Sequence, residues 1–433
     1  MYRAVVIQKD GAHRIRALTH SEERPPFMTT QTAVAAYDLK DQPFAVRKGV
    51  ETLQKVWEYG TMAVVFPGGR QMTLTGKQPG PAATLLVKDF NFMKRVLNSG
   101  DIGFCDGYKE GEWDSPDLAT LLTVLSLNSE KLGQLFTGNI ITQTINNLLH
   151  HFRKNTRQGS KRNIFEHYDL GNSFYDQWLD QTMTYSSALF SKDHKDLSAA
   201  QTAKYAKLAE MVDLKAGQHV LEIGCGWGGF AQYAAEVIGA RVTGVTISQA
   251  QHDFAVERMK RLGLSDKVEI VMMDYRDITG KYDAVVSIEM FEAVGESYWG
   301  TYFNKLHEVL KKGGKAGLQI ITIADDMFED YKSRADFIQK YVFPGGMLPS
   351  AQKLLEQTQN AGLKAISSFK FGLDYAETLK QWGQRFEEAW KEGRIQGFDA
   401  HFRKLWLFYL AYCEAGFRAQ RTNVVHLELQ RAD

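Results

Sequence analysis

In the stretch VLEIGCGWGGF, residues 220–230, an apolar run leads directly into a glycine-rich turn, and this turn is the strongest indication of the fold. Its glycines satisfy both E-x-G-x-G-x-G and G-x-G-x-x-G. Such a loop lets a strand turn sharply into a helix while the backbone approaches a ligand closely. The pattern therefore predicts a nucleotide-type cofactor at the end of a strand, although the glycines alone do not choose which one.

Strands and helices alternate around and after this loop. The strand-like runs are HVLEI (219–223), RVTGVTI (241–247), VEIVMMD (268–274), YDAVVSIE (282–289) and GKAGLQIITI (314–323). Apolar strands separated by helices predict a parallel sheet that is covered on both faces. Ligands of such sheets bind at the carboxyl ends of the strands, beside the topological switch point.

Two neighbouring features favour S-adenosylmethionine over a dinucleotide. Glu222 would repel a pyrophosphate but suits a cofactor with a cationic amino-acid portion. The second strand ends in GVTIS (244–248), without the acidic residue that a dinucleotide ribose would need. An NAD-dependent oxidoreductase remains the alternative enzyme class.

Acidic residues follow the third and fourth strands. Asp274 and Tyr275 are placed to hydrogen-bond and stack on an adenine, although an aspartate after a strand is also a common turn residue. Glu289 and Glu292 lie next to the expected site in SIEMFEAVGE (287–296), where they would perform acid–base work, bind a metal or simply begin a solvated helix.

The region before this domain reads as a smaller α+β accessory domain. Residues 1–35 show no clear period and are expected to form a tail, and the accessory domain spans 36–149. Two strands are predicted across the Gly68-Gly69 turn, a third in ATLLVKD (83–89), and a helix that ends at Gly100.

The charge balance excludes a protein that tracks polyanions such as nucleic acid. The 433 residues carry 52 Lys and Arg against 51 Asp and Glu, a formal net charge of +1. Although the net charge of the whole chain is close to zero, residues 150–163 form a basic segment. This segment has no acidic residue and contains Arg153, Lys154, Arg157, Lys161 and Arg162. It predicts either a solvated linker or a contact with an anionic membrane.

Other features indicate a cytoplasmic protein. No apolar run is long enough to span a bilayer, and the N-terminal residues lack the apolar core of a secretory signal. The three cysteines are far apart, so neither a disulfide framework nor a cysteine-rich metal site is indicated.

From Ile164 onward the chain resembles the cyclopropane-fatty-acid synthase family, which includes the mycolic-acid methyltransferases. The matching motifs occur in the family's order: HYDLGNSFYDQWLDQTMTYSSALF (167–190), VLEIGCGWGGF, GVTIS-QAQ (244–251), MMDYRDI (272–278), MFEAVG (290–295), YVFPGGMLPS (341–350), FGLDYAETLKQW (371–382) and FRAQ (417–420). The first domain matches more loosely.

The resemblance implies both a fold and a reaction. The fold is α/β, with a seven-stranded, Rossmann-like methyltransferase domain over 164–433 behind a smaller N-terminal domain that contacts lipid. The reaction is transfer of a methyl group from S-adenosylmethionine to the double bond of an unsaturated acyl chain carried by membrane phospholipid. Such an enzyme would work peripherally at the inner membrane face, and both a monomer and a homodimer stay open.

The resemblance also assigns residues. The cofactor is expected against Tyr185, Ser186, Glu222, Gly224, Gly226, Thr246, Ser248, Gln251, Asp274 and Tyr275, and the substrate against Tyr168. The family holds a bicarbonate ion, thought to be the base, between a Cys backbone, a Glu, a His, an Ile backbone and a Tyr. Positions Ser187, Glu292, Ile323 and Tyr375 match all of these except the His.

This chain departs from the family at the bicarbonate site. Ser187 replaces the Cys, Ile321 replaces the His, and Ala293 replaces a further His after the motif glutamate. The anion site is therefore expected to be weakened, absent or rebuilt, with Glu292 or Tyr375 taking the proton directly. Methyl transfer would be retained, ending either in a cyclopropane or in a methyl or methylene branch, including furan fatty acid precursors. An inactive lipid-binding protein is the alternative outside enzymology.

Aromatic residues concentrate near the end of the chain, in HFRKLWLFYLAYCEAGFRAQ. At this spacing most are expected to be ordinary core, although the same residues could line an acyl tunnel.

Overall fold

The computed structural model describes residues 51–135, 170–333 and 336–432, which contain two β-sheets. A four-stranded sheet lies in the N-terminal part and a seven-stranded sheet in the C-terminal part. The expected tail and the basic segment lie outside the described residues, so the domain boundaries stay predictions.

The N-terminal sheet has the order β2-β1-β3-β4. Its strands are Tyr59–Val65 (β1), Gln71–Thr75 (β2), Gln78–Val87 (β3) and Trp113–Asp114 (β4). Buried side chains alternate along β1 and β2, as expected for strands with one covered face. β1 and β2 pair antiparallel across Gly68 and Gly69, which confirms the predicted hairpin.

The helices of this part of the chain include Asn91–Lys109 (α1), Leu118–Leu127 (α2) and Ser129–Leu135 (α3). The second of these, α2, packs against β1 and β3. The predicted end of the first helix at Gly100 is confirmed as a break in α1, because the backbone leaves helical geometry there before a second helical segment continues to Lys109. Gly100 has φ 57°, a conformation that glycine adopts without the steric cost of a side chain.

The C-terminal sheet has the order β10-β11-β9-β8-β5-β6-β7. Its strands are His219–Ile223 (β5), Arg241–Thr246 (β6), Val268–Met272 (β7), Tyr282–Ile288 (β8), Leu310–Ile323 (β9), Leu363–Lys370 (β10) and Thr422–Arg431 (β11). The five predicted strands are β5 to β9, and they are parallel as predicted. β10 and β11 add an antiparallel pair that the sequence patterns did not indicate.

β5 lies at the switch point of this sheet. It pairs with β6 on one side and with β8 on the other. The chain therefore winds outward from β5 through β6 and β7 and then crosses back to β8. The carboxyl ends of β5 and β8 face the crevice where ligands of such sheets bind.

Helices pack on both faces of the large sheet, as predicted. They are Asn172–Tyr175 (α4), Leu197–Met211 (α5), Gly229–Tyr233 (α6), Gln249–Arg261 (α7), Trp299–Val309 (α8), Phe328–Ser333 (α9), Phe337–Tyr341 (α10), Ala351–Asn360 (α11), Gly372–Lys391 (α12) and Ala400–Arg418 (α13). One buried apolar cluster includes α8, and another includes α5 and α6. Among the described helices, none has both the length and the apolar character needed to cross a bilayer.

The long helix α13 joins the two parts of the molecule by packing on α1 and α2. Lys404 Nζ on α13 donates a hydrogen bond of 2.9 Å to the carbonyl of Tyr108 on α1. Tyr412 Oη donates to Asp101 Oδ2 over 3.1 Å. One cluster of buried apolar side chains runs through both parts. The N-terminal sheet is therefore held in a fixed place next to the crevice of the large sheet.

Asn128, just after α2, holds the beginning of β1. Its side chain is 1% exposed, and its Oδ1 accepts hydrogen bonds from the backbone N–H groups of Glu58 and Tyr59 over 2.7 and 3.0 Å. Its Nδ2 donates to the carbonyls of Tyr59 and Val124, both over 2.9 Å. One side chain thus satisfies four backbone groups at the junction of α2 and β1.

Asn128→Ala should lower the free energy of unfolding by about 2 to 3 kcal/mol, because buried backbone groups would lose their partners. Urea denaturation followed by circular dichroism measures the change. Gln54→Ala is the matched control, since its exposed amide makes two hydrogen bonds to the backbone of Thr75. We expect the control to lose less than about 1 kcal/mol. Equal losses in the two variants would contradict the role of Asn128.

Candidate active site

The glycine loop connects the end of β5 to α6 at the switch point. Gly224 has φ 79°, and a Cβ placed there would lie 2.6 Å from Met290 Cγ. Gly228 precedes α6 with φ 82°, in the left-handed region. Both positions therefore require glycine, as the sequence motif predicts. The N–H groups of Gly224 and Cys225 donate to the carbonyl of Val245 on β6, which fixes the loop to the sheet.

Glu222 provides a test of which cofactor the loop fits. Its side chain is buried in β5, and burial raises the pKa of its carboxyl group well above the ordinary value. Its Oε2 has no hydrogen-bond partner among the described residues. Because an unpaired buried carboxyl oxygen is costly, this position suits a ligand with a cationic donor. The amino group of S-adenosylmethionine is such a donor, so the residues present fit that cofactor.

Of the three predicted residues at and after the end of β6, two line the cavity and one caps a helix. Thr246 Oγ1 donates to Gln251 Oε1 over 2.9 Å, and both residues line the cavity that contains the loop. Ser248 Oγ accepts from the backbone N–H of Gln251 and so caps α7. The structure thus places Thr246 and Gln251 in the cavity wall beside the glycine loop, whereas Ser248 caps α7.

Asp274 and Tyr275 follow β7 and also line the cavity. The carboxylate of Asp274 accepts two hydrogen bonds from the guanidinium of Arg276, over 2.8 and 2.6 Å. Arg276 was not predicted, and it fixes the orientation of the acid expected to bind the adenine. The Arg276 guanidinium also lies 5.5 Å from the centre of the Tyr275 ring.

A buried lysine lies behind the predicted residues Tyr185 and Ser186. Lys204 on α5 is fully buried, and its Nζ donates to Ser186 Oγ over 2.6 Å. Burial lowers the pKa of Lys204, whereas the negative charges of Glu289, Asp180 and Glu222 oppose that change. The net result is a lowered pKa of about 7 for Lys204, which lies within electrostatic reach of these carboxyl groups.

Glu289, directly after β8, is a carboxylate of the site that accepts three hydrogen bonds. Its Oε1 accepts hydrogen bonds from the backbone N–H of Ser187 over 2.8 Å and from Gln319 Nε2 over 2.7 Å. Its Oε2 accepts from the hydroxyl of Tyr375 over 2.7 Å. The side chain is partly accessible and lines the cavity.

Glu292 has a different environment, although it lies only three residues away. Its Oε1 accepts from the backbone N–H of Ile321 over 2.6 Å, and its Oε2 has no partner among the described residues. Burial and the neighbouring charge of Glu289 raise the pKa of Glu292 to about 8, so this group is neutral at pH 7. Within the described ranges, no group of three or more His, Cys, Asp and Glu residues is arranged to hold a metal ion.

The remaining predicted residues, three from the bicarbonate site and one substrate contact, differ in their surroundings. Ser187 and Tyr375 both contact Glu289. Ile323 lines the cavity, but its N–H donates to the carbonyl of Pro349 over 3.0 Å. Tyr168, the expected substrate contact, lies outside the described residues.

Gln319 and His426 were missed by the sequence analysis. Both are fully buried, on the neighbouring strands β9 and β11. Gln319 Oε1 and His426 Nε2 lie 2.8 Å apart, and Gln319 Nε2 donates to Glu289. The available signal was an amide or an imidazole within an otherwise largely apolar strand, Gln319 in GLQIITI and His426 in VVHLEL. Pairing them required the antiparallel position of β11, which the sequence patterns did not provide.

A cavity of about 940 Å³ connects this site to the N-terminal sheet. It extends from the glycine loop and Glu289 to the inner face of β1, β2 and β3. The lining residues on those strands are Met62, Val64, Met72, Leu74, Leu85 and Val87. Phe408, Tyr409, Tyr412 and Phe417 of α13 also line it, whereas Trp406 belongs to the core alone. The aromatic cluster thus contributes both to the core and to the cavity wall.

Comparison with known proteins agrees with this geometry. The family model described as mycolic acid cyclopropane synthetase matches residues 155–427. The chain is 38% identical over 371 residues to tuberculostearic acid methyltransferase of Mycobacterium tuberculosis, covering 83% of this chain and 86% of that protein. It is 35% identical over 362 residues to cyclopropane-fatty-acyl-phospholipid synthase of Escherichia coli, covering 81% and 87%.

A solved structure of a cyclopropane synthase also resembles this chain in its fold. The mycolic acid cyclopropane synthase in complex with SAH and CTAB superimposes with a TM-score of 0.58 at 27% identity. The match covers 98% of that chain but 63% of this one. These relationships set aside the NAD-dependent oxidoreductase and the inactive lipid-binding protein. The chain belongs to the mycolic acid cyclopropane synthetase family and is an S-adenosylmethionine-dependent methyltransferase of unsaturated acyl chains.

Proposed function

We propose that the substrate is an unsaturated acyl chain that is still attached to a membrane phospholipid, and that the cavity holds most of this chain during methyl transfer. The observation that carries the proposal is the continuity of the cavity. One apolar space joins the glycine loop and Glu289 to the inner face of the N-terminal sheet.

The volume and lining of the cavity suit a long apolar ligand together with the cofactor. Its 940 Å³ is near the upper end of the roughly 300 to 1,000 Å³ typical of small-molecule sites. The wall at the N-terminal sheet consists of apolar side chains. An alkyl chain that packs against this wall removes apolar surface from water without burying a polar group. The solved relative covers only 63% of this chain, and the N-terminal wall is an addition to that shared domain.

An exposed apolar side chain at the rim of the cavity supports the proposal that the acyl chain enters from a bilayer. Leu97 on α1 lines the cavity and yet is 51% exposed, which is unusual for a leucine that also faces an internal space. It lies three residues before the kink at Gly100, so it belongs to the first segment of α1. A leucine in this position can contact lipid while the chain passes from the membrane to the cavity.

The residues around the glycine loop divide the chemical work. S-adenosylmethionine supplies, when bound, a methyl group on a positively charged sulfur, which an alkene can attack. Glu222, Thr246, Gln251, Asp274 and Tyr275 would hold the cofactor, with Glu222 facing its amino group.

Attack by the alkene leaves a positive charge on the acyl chain, and the site must protect that charge from water. The rings of Tyr375 and Phe417 stack at 4.5 Å and both line the cavity. Tyr185 contributes a third ring to the lining. Aromatic faces stabilise a cation, and a closed apolar cavity keeps a competing water nucleophile away.

Incubation with methyl-labelled S-adenosylmethionine and vesicles of an unsaturated phospholipid should place label in the acyl chains. We expect each modified chain to gain the mass of one CH₂ group, and saturated phospholipid is the control. Hydrogenation of the product then separates the two outcomes, because a methylene branch takes up hydrogen and a cyclopropane does not. Label found only in headgroups, or in no lipid at all, would reject the proposed substrate.

The cavity predicts a change in chain-length preference. Val64→Phe places a larger side chain in the cavity, and should lower turnover of long acyl chains relative to short ones by about tenfold, the effect of about 1.4 kcal/mol of lost binding. Val65→Phe is the matched control, because Val65 is the next residue of β1 and its side chain points to the other face. The measurement is the ratio of kcat/KM for two chain lengths. An unchanged ratio in Val64→Phe would contradict the position of the acyl chain.

The basic segment 150–163 predicts how the enzyme reaches its substrate. We propose that it docks on the anionic inner face of the cytoplasmic membrane, since each cation near such a surface contributes about 1 kcal/mol. Replacing Arg153, Lys154, Arg157, Lys161 and Arg162 by Gln should weaken binding to anionic vesicles and remove its salt dependence. Vesicle sedimentation at two salt concentrations measures this, with zwitterionic vesicles as control. If vesicle binding depends neither on the salt concentration nor on the charge of the lipid, the proposal is rejected and the segment is only a linker.

A further inference from the structure

We propose that the side-chain carboxylate of Glu289 takes the place of the family's bicarbonate ion and is the base that removes the proton from the methylated acyl chain. The inference rests on the proposed function for its substrate. It differs from the expectation that Glu292 or Tyr375 would take the proton.

The donors expected to bind the free anion are already used by Glu289. The backbone N–H of Ser187 and the hydroxyl of Tyr375 hold its two carboxylate oxygens over 2.8 and 2.7 Å. These are two of the positions assigned to bicarbonate by resemblance. A carboxylate offers the same two oxygens as one face of bicarbonate, so it can satisfy the same donors.

The remaining groups of the expected anion site have other partners. The N–H of Ile323 donates to Pro349, and Ile321 provides no imidazole. The backbone N–H of Ile321 instead donates to Glu292, in the place where the family has its His. The residues present therefore do not fit a free bicarbonate ion.

A second pair of residues orients the carboxylate. Gln319 must turn its NH₂ group toward Glu289, because an amide oxygen facing a carboxylate would be repelled. Its Oε1 then accepts the hydrogen bond from His426 Nε2 over 2.8 Å. Burial lowers the pKa of His426 well below its ordinary value, so the ring is neutral and donates from this nitrogen. Gln319 and His426 are positioning residues, since they act through Glu289.

The backbone of Glu289 supports a functional reason for this residue. It has φ 50°, in the left-handed region where a side chain is strained and glycine is favoured. Such strain costs about 1 to 3 kcal/mol and is retained mainly at functional sites. The side chain therefore serves a purpose that outweighs the more stable choice of glycine.

The donors around the two glutamates distinguish their roles. Burial raises the pKa of Glu289, but Lys204 and three hydrogen-bond donors oppose this and favour the carboxylate. Glu292 has one donor and the negative charge of Glu289 nearby, and its pKa is raised to about 8. Burial raises the pKa of both carboxyl groups, so the roles are distinguished by the three donors that hold Glu289 against the one that holds Glu292. Glu289 is the group equipped to be the base.

The proton-transfer step balances without any further reactant. The alkene electron pair forms a bond to the methyl carbon, and the bond from that carbon to sulfur breaks with its electrons left on sulfur. A C–H bond of the new methyl group then breaks, and its proton passes to Glu289 Oε2. That oxygen accepts one hydrogen bond, whereas Oε1 accepts two, so Oε2 has the freer lone pair. The electron pair of the C–H bond of the new methyl group closes a ring. If a 1,2-hydride shift first moves the positive charge to the methyl-bearing carbon, the same electron pair forms a methylene double bond instead.

Glu289→Gly provides the test, because it removes the carboxylate, frees its donors and relieves the left-handed backbone strain. We expect kcat to fall by about 100-fold or more, as is typical for loss of a general base. Added bicarbonate or formate should restore part of this activity, since either anion fits the vacated donors. The wild type should work equally well in bicarbonate-free buffer.

Glu289→Gln is the complementary variant, because its amide still fills the position but cannot accept the proton. It should be as inactive as Glu289→Gly and should not respond to added anions. Glu428→Gln is the matched control: Glu428 is a buried carboxylate of the same large sheet, held by Ser367 and Lys315, and it does not line the cavity. We expect this control to keep wild-type kcat.

Thermal unfolding in the presence of bicarbonate tests, independently of catalysis, whether bicarbonate binds at the position of the Glu289 carboxylate. Bicarbonate should raise the Tm of Glu289→Gly in a concentration-dependent way and leave the wild type unchanged, relative to sodium chloride of equal ionic strength. A wild type that requires bicarbonate or is stabilised by it would overturn the inference, as would a Glu289→Gly or Glu289→Gln variant with wild-type kcat. A Glu289→Gly variant without rescue and without a Tm shift would reject the anion position. A wild type that methylates no acyl chain would reject the proposed function instead, and the Tm result would still decide the anion site.

Discussion

The three hydrogen bonds accepted by Glu289 are the constraint on which the rest of the site depends. They connect the end of β8 to the loop at Ser187, to β9 through Gln319 and to α12 through Tyr375. A carboxylate in an apolar cavity is stable only if its charge is compensated, and here polar groups and a buried lysine surround it on the protein side. The opposite side is left open to the cavity, so the same charge is available to a cationic acyl chain.

The second constraint is the exclusion of water, and it explains why two sheets are combined. The large sheet provides the glycine loop and the carboxylates, but its crevice alone would leave a long apolar substrate exposed. The N-terminal sheet adds an apolar wall, and α13 holds the two parts together with aromatic side chains that face the same cavity. Under the proposed function, one cavity would therefore both bind the acyl chain and protect its positive charge.

Much of the fold was predictable from the sequence, because its signals are local. The runs from HVLEI to GLQIITI are strands as predicted, and the glycine loop lies at the switch point. Gly100 interrupts the helical backbone where an end was predicted, although a second helical segment follows it. The exception is β11, which enters the sheet beside β9 through long-range pairing. At the site, the family motif drew attention to Glu292, whereas the bonding pattern favours Glu289. No local pattern predicts that Gln319 and His426, 107 residues apart, will meet beneath that carboxylate.

The long-range pairing of β11 also has a consequence for folding. The donors and supports of Glu289 come from segments that are 30 to 107 residues apart along the chain. Closing such loops costs entropy before any contact compensates for it, so contacts of this kind form late. A partly folded chain would hold the glycine loop and its local helices before the carboxylate is oriented. The reactive centre is thus assembled only when the large sheet is complete, which makes catalytic competence a sensitive indicator of the last folding step.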